Sequence, residues 1–117
     1  MDKELLKGST GILLLSLLSE GPMYGYQMVK ELEQRSEGIF RFKEGTLYPA
    51  LHRLEAEGLI EGRWEKRENG PDRKYYYLTS KGGQALAERA KEWGVFRRAV
   101  ERVIGSGLML QGQQEGV

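Results

Sequence analysis

Five basic side chains crowd one short stretch: Arg63, Lys66, Arg67, Arg73 and Lys74. They flank a run of turn formers, Glu68-Asn69-Gly70-Pro71-Asp72, and so lie on the two sides of one bend. Guanidinium and ammonium groups gathered in this way neutralise phosphates and release the counterions condensed on them. Other chemistries are poorly supplied. The chain has no cysteine, hence no thiolate ligand, thiol nucleophile or disulfide, and His52 is its one histidine, too few for a histidine metal cluster. Its carboxylates are scattered, without the activated nucleophile or paired acid and base that catalysis needs. An enzyme, a resident metal and a cofactor are therefore not expected. The formal charge of +1 gives no signal by itself. Its distribution does, since residues 41–81 carry nine basic and seven acidic side chains against four and six in residues 1–40.

A second set lies further on, where Trp93 has Arg89 one turn before it and Phe96 and Arg97 one turn after. An indole offers a stacking face and two guanidinium groups offer bidentate donors, so this set suits a planar aromatic effector, an acid better than a cation.

These side chains need elements to hold them. Residues 3–19 predict a helix that is apolar on nearly every side, with Leu5, Ile12 and the leucines from 13 to 18, which implies burial partly by a second subunit. Glu20-Gly21-Pro22 ends it, and a second helix follows over about 24–36 with Met28, Val29 and Leu32 inward. The third helix, about 45–57, has Leu47, Ala50, Leu51 and Leu54 on one stripe, with Gly45, Pro49, His52 and Ala56 opposite and Tyr48 and Arg53 beside them. Pro49 is read as lying near the helix start, where a missing N–H costs least. Two strands around a charged turn come next, residues 60–67 and 74–79, with Ile60 and Trp64 on one face and Trp64 read as structural. Thr79 or Ser80 caps a last helix, about 80–104, in which Leu86, Trp93 and Val100 recur every seven residues, with Phe96 and Val103 three beyond. That seam calls for a partner helix and predicts a homodimer. The tail, residues 105–117, has four glycines and three glutamines and is expected to be disordered.

The expected fold is mainly α with a small β-hairpin: a winged helix-turn-helix over residues 1–79 and a dimerisation helix over 80–104. In a winged helix the third helix enters the major groove and the hairpin lies along the backbone. The exposed third-helix residues Tyr48, His52 and Arg53, with Lys43 at its start, then face DNA, and the wing offers Lys66, Arg67, Asn69, Arg73 and Lys74. A winged helix serving only protein interaction is the alternative, but it would leave the wing neutral or acidic. The longest apolar run, Ile12 to Leu18, is far shorter than the ~18 residues of a membrane span, and a cytoplasmic protein is expected.

Four stretches resemble the PadR transcriptional regulators: Gly21-Pro-Met-Tyr-Gly-Tyr26, Gly45-Thr-Leu-Tyr-Pro-Ala-Leu-His-Arg-Leu-Glu55, Glu57-Gly-Leu-Ile60 with Trp64, and Gly70-Pro-Asp-Arg-Lys-Tyr-Tyr76 with Leu78-Thr79. The single C-terminal helix is similar to the short subfamily. The resemblance implies a homodimeric, ligand-responsive repressor. It gives Thr46, Tyr48 and Pro49 a place on the recognition helix, Arg73 and Lys74 a backbone contact, and Trp93 a place on a ligand pore at the dimer interface. Lys43-Glu44 departs from the family's usual Ser-Pro, removing a hydroxyl cap, and Tyr77 stands where a polar strand residue is common.

Overall fold

The computed structural model describes the backbone of residues 3–105 and the side chains from Ser9 onward. The side chain of Leu5, expected at the dimer interface, and the tail beyond Gly105 lie outside what is described. The chain folds as α1 (Lys3–Ser19), β1 (Met23–Tyr24), α2 (Gly25–Arg35), α3 (Glu44–Ala56), β2 (Ile60–Glu65), β3 (Arg73–Leu78) and α4 (Ser80–Val100), closed by a π-helical turn at Glu101–Gly105. It divides after Leu86 into two compact units.

The first unit has the three helices and the hairpin. The hairpin gains a third strand that the sequence reading did not expect, having begun the second helix at about Tyr24: β1 pairs antiparallel with β3, Met23 opposite Tyr76 and Tyr24 opposite Tyr75, giving the order β1-β3-β2. Two residues show no alternation, so only the distant partner reveals them as a strand. Leu14, Leu15, Leu17 and Leu18 of α1 are buried with Met28, Leu32, Leu47, Leu51, Leu54, Ile60 and Tyr76. Much of the all-round apolar character of α1 is thus met inside one chain, because α2, α3 and β3 all pack against it. Ile12 remains half-buried. Leu86, the first residue of the expected seam, packs against this same core.

Local chemistry sets the element ends. Helix α3 stops at Gly58, whose φ of 77° is one that glycine adopts cheaply. Its N–H donates to the Glu55 carbonyl and that of Leu59 to the Leu54 carbonyl, the two bonds of a Schellman motif. The same pair of bonds ends α2, from Glu37 to Gln34 and from Gly38 to Glu33, but here Glu37, at φ 53°, is left-handed ahead of Gly38, at φ 86°. Of the two candidate caps for α4, Thr79 serves: its hydroxyl donates to the Gly58 carbonyl at 2.7 Å and accepts the Gly82 N–H at 3.0 Å. A Cβ at Gly82 would collide with the Leu59 carbonyl oxygen, so glycine lets α4 start against the end of α3. Arg35 then ties α2 to the end of α1, with bonds to Glu20 at 2.6 and 2.8 Å and to Glu31 at 2.9 Å.

Candidate nucleic-acid interface

Burial of Leu47, Ala50, Leu51 and Leu54 turns the other side of α3 outward and leaves Thr46, Tyr48, Pro49, His52 and Arg53 exposed. The helix begins at Lys43, in extended conformation, without a side-chain cap, as its departure from Ser-Pro implied. The Lys43 carbonyl accepts the N–H groups of Thr46 and Leu47, both at 2.9 Å. Pro49 corrects the sequence reading. It is the sixth helical residue, past the turn whose N–H groups are free, so the Gly45 carbonyl loses its helical donor. Gly45 is exposed, and water can take that place.

Tyr48 does not stand free. A Cβ at Gly25 would come within 2.7 Å of its hydroxyl, so the glycine of the Tyr-Gly-Tyr segment makes the seat for that ring at the start of α2. Tyr24 meets Tyr75 edge-on at 5.5 Å and carries the Arg73 guanidinium over its face at 4.2 Å. These contacts fix one edge of a cleft of about 370 Å³ between α3 and the wing, lined by Tyr48 and His52 on one side and Trp64, Arg73 and Lys74 on the other.

Trp64 differs from its expected structural role. It does alternate with Ile60, but Ile60 is 3% exposed and Trp64 70%. The strand runs past the end of the core, so position along the strand decides burial where the face alone does not. Lys74 also differs. Its Nζ lies 3.2 Å from Glu55 Oε1 of α3 and 5.3 Å from the centre of the Tyr76 ring, and both side chains are about three-quarters buried. Arg73 is half-buried on Tyr24, Arg67 folds against Gly70, and Lys66 and Asn69 are exposed at the tip. Burial, with the nearby Glu55 carboxylate, pushes the Tyr76 hydroxyl up to about 12. Tyr77 has an account on the hairpin's other side, where its hydroxyl donates to Glu65 at 2.9 Å and its ring carries the Arg63 guanidinium at 4.5 Å.

Trp93 and Phe96 are neighbours, with ring centroids 5.9 Å apart, and both are exposed, as are Val95, Val103 and Ile104. Val100 is half-buried. Arg97 is paired with Glu101 at 3.5 Å, and Glu88 and Glu92 border the groove beside Phe96. The guanidinium set around Trp93 is therefore less free than its spacing implies. Val103 lies in the π turn, whose wider winding departs from the α-helical register of the seam. Among the described residues no group of histidine and acidic side chains could hold a metal, and no helix is long and apolar enough to cross a membrane.

Three helices, a wing and an aromatic cleft between the third helix and that wing, with Asp72 and Arg73 among its lining, define a winged helix-turn-helix protein of the DNA-binding kind. The chain belongs to the transcriptional regulator PadR-like family, which residues 14–88 match. It is 34% identical over 98 residues to an uncharacterized protein, protein X, of Lysinibacillus sphaericus, covering 84% of this chain and 90% of that one. A transcriptional regulator from Clostridium thermocellum shares its fold with a TM-score of 0.82 at 28% identity, over 89% of this chain and 98% of that one. The PadR protein of Bacillus subtilis, solved in complex with operator DNA, matches with a TM-score of 0.63 at 27% identity, over 69% of this chain and 46% of that longer one.

Proposed function

We propose that this regulator is a cytoplasmic repressor that binds a two-fold operator as a homodimer. Helix α3 reads the major groove with Tyr48, His52 and Arg53, helped by Thr46 and Pro49 at its outer face. Lys43, Lys66, Arg67, Asn69 and Arg73 hold the phosphates beside it. The observation that carries this reading is the cleft between α3 and the wing, where Tyr48, His52, Trp64 and Arg73 line one exposed surface. Trp64 joins the proposed contact surface because so exposed an indole, beside cations, has a flat face to lay on a sugar or base.

The dimer is proposed to form through α4 and the turn after it, where Trp93, Phe96 and Val103 have apolar surface that solvent tolerates poorly and Val100 is half-buried; Ile12 of α1, also half-buried, is proposed as a further interface residue. A planar aromatic effector stacked between Trp93 and its symmetry mate would be sensed at that interface, with Phe96, Arg89 and Arg97 around it.

A gel shift against the DNA upstream of the chain's own gene, with random DNA as control, tests the reading. Operator DNA should be bound at least ~1,000-fold more tightly than random DNA. Equal affinity for both overturns specific repression. Arg73→Ala should weaken both DNAs alike and flatten the salt slope by about 0.9 for the phosphate lost.

A further inference from the structure

We infer that Lys74 is a positioning residue, a latch that locks the wing to the recognition helix through Glu55 in the room left by Gly62, and not a phosphate contact. The inference rests on the DNA-binding reading above and deepens it. Three observations carry it. Lys74 Nζ lies 3.2 Å from Glu55 Oε1, and the two side chains are only 26% and 29% exposed. The pair joins β3 to α3 across nineteen residues of sequence. Gly62 completes the device. A Cβ there would overlap Lys74 Cε and come within 3.2 Å of Glu55 Oε2, so the strand is bare where the lysine stem crosses it.

The consequence is geometric. Tyr48 and His52 sit on α3 one or two turns before Glu55, while Arg73 directly precedes Lys74 on the wing. A bond between Glu55 and Lys74 therefore fixes the distance between the groups facing bases and the groups facing phosphates. A rigid spacing of this kind raises affinity because less freedom is lost when DNA binds. A lysine engaged by a carboxylate also has little charge left over for a phosphate.

The two roles predict opposite patterns. We would measure operator affinity against salt for the full-length protein and for Lys74→Met, Glu55→Gln, the double variant, the swapped pair Lys74→Glu with Glu55→Lys, and Gly62→Ala, with thermal unfolding of each as the folding control. A latch predicts that Lys74→Met and Glu55→Gln each weaken operator binding about fivefold, that the double variant is no worse than either, and that the swap recovers most of the loss. It also predicts an unchanged salt slope. Gly62→Ala changes no charge and crowds only the flexible end of the lysine, so it should weaken binding less than Lys74→Met does. A phosphate contact predicts instead a slope flattened by about 0.9 for Lys74→Met, with Glu55→Gln neutral or tighter in binding. Either of those results overturns the latch. If the parent itself fails to prefer operator DNA, the DNA-binding reading has failed, which is a separate result from an intact parent with neutral variants.

Discussion

The two units of the molecule treat their apolar side chains in opposite ways. The unit before Leu86 closes a core on itself: Leu14, Leu15, Met28, Leu47 and Leu51 have at most 1% of their surface exposed. Beyond it, Trp93, Val95, Phe96, Val103 and Ile104 all lie between 49% and 83% exposed. Apolar burial is worth about 25 cal/mol per Å² removed from water, so the first unit has its driving force within one chain while the second has most of its own unspent. The difference teaches where each kind of work belongs. A closed core holds the third helix and the wing at fixed spacing, and an open apolar face is available for pairing.

Substitutions sharpen that comparison, and the largest effect should come from the closed core. Leu51→Ala removes a side chain with no exposure and should cost about 2–5 kcal/mol, measured by urea unfolding. Its midpoint should shift by the same amount at every protein concentration. Phe96→Ala should behave differently, with little change at high dilution but a weaker dependence of the unfolding midpoint on concentration, because it subtracts from association. Identical concentration dependence in the two variants would erase the distinction between the units.

Next in size is Gly82→Ala. The added methyl has backbone in its way, at the Leu59 carbonyl, and backbone yields less easily than a side-chain tip. We expect a loss of about 1–3 kcal/mol in thermal unfolding. Glu37→Gly works in the favourable direction. It relieves a left-handed residue costing roughly 1–2 kcal/mol and gives back about 0.4–1 in chain entropy. A net gain of about 0.5–1 kcal/mol should raise the unfolding midpoint.

The helices and hairpin were legible in the sequence because their signals are local. The stripe Leu47, Ala50, Leu51 and Leu54 needs only the helical period, and the turn between the strands needs only its own residues. What stayed hidden depends on distant partners. Strand β1 exists through Tyr75 and Tyr76, and the tie from Lys74 to Glu55 spans nineteen positions. Trp64 shows a further gap: alternation assigns a face but cannot say where the core ends along a strand. The seat of Tyr48 on Gly25 was legible only as an unexplained Tyr-Gly-Tyr segment. Lys74 stood among the wing's cations by neighbourhood, and three dimensions turned it toward α3.

The smallest expected effect is with pH. Tyr76 and Tyr77 both have hydroxyl pKa values raised in the folded chain, Tyr76 by burial and Tyr77 by its bond to Glu65. A raised folded value means that stability is fully present below the unfolded value of about 10 and is lost as pH climbs through the folded one. Unfolding by urea should therefore become easier between about pH 10 and 12, and Tyr76→Phe should remove much of that dependence. At the other end Glu20, held low by its bonds to Arg35, is ionised and helps above its ordinary carboxylate range. That help fades as pH falls through its lowered value, and salt should mask it since the pair is exposed.

The central claim is that the closed unit reads DNA and the open one pairs two such readers. Hydroxyl-radical footprinting of the region upstream of the chain's own gene tests it most directly. Two protected patches related by two-fold symmetry are expected, with centres about one helical turn, ~34–36 Å, or a multiple of it apart. A single protected patch at saturation, or uniform protection without a preferred site, would contradict it.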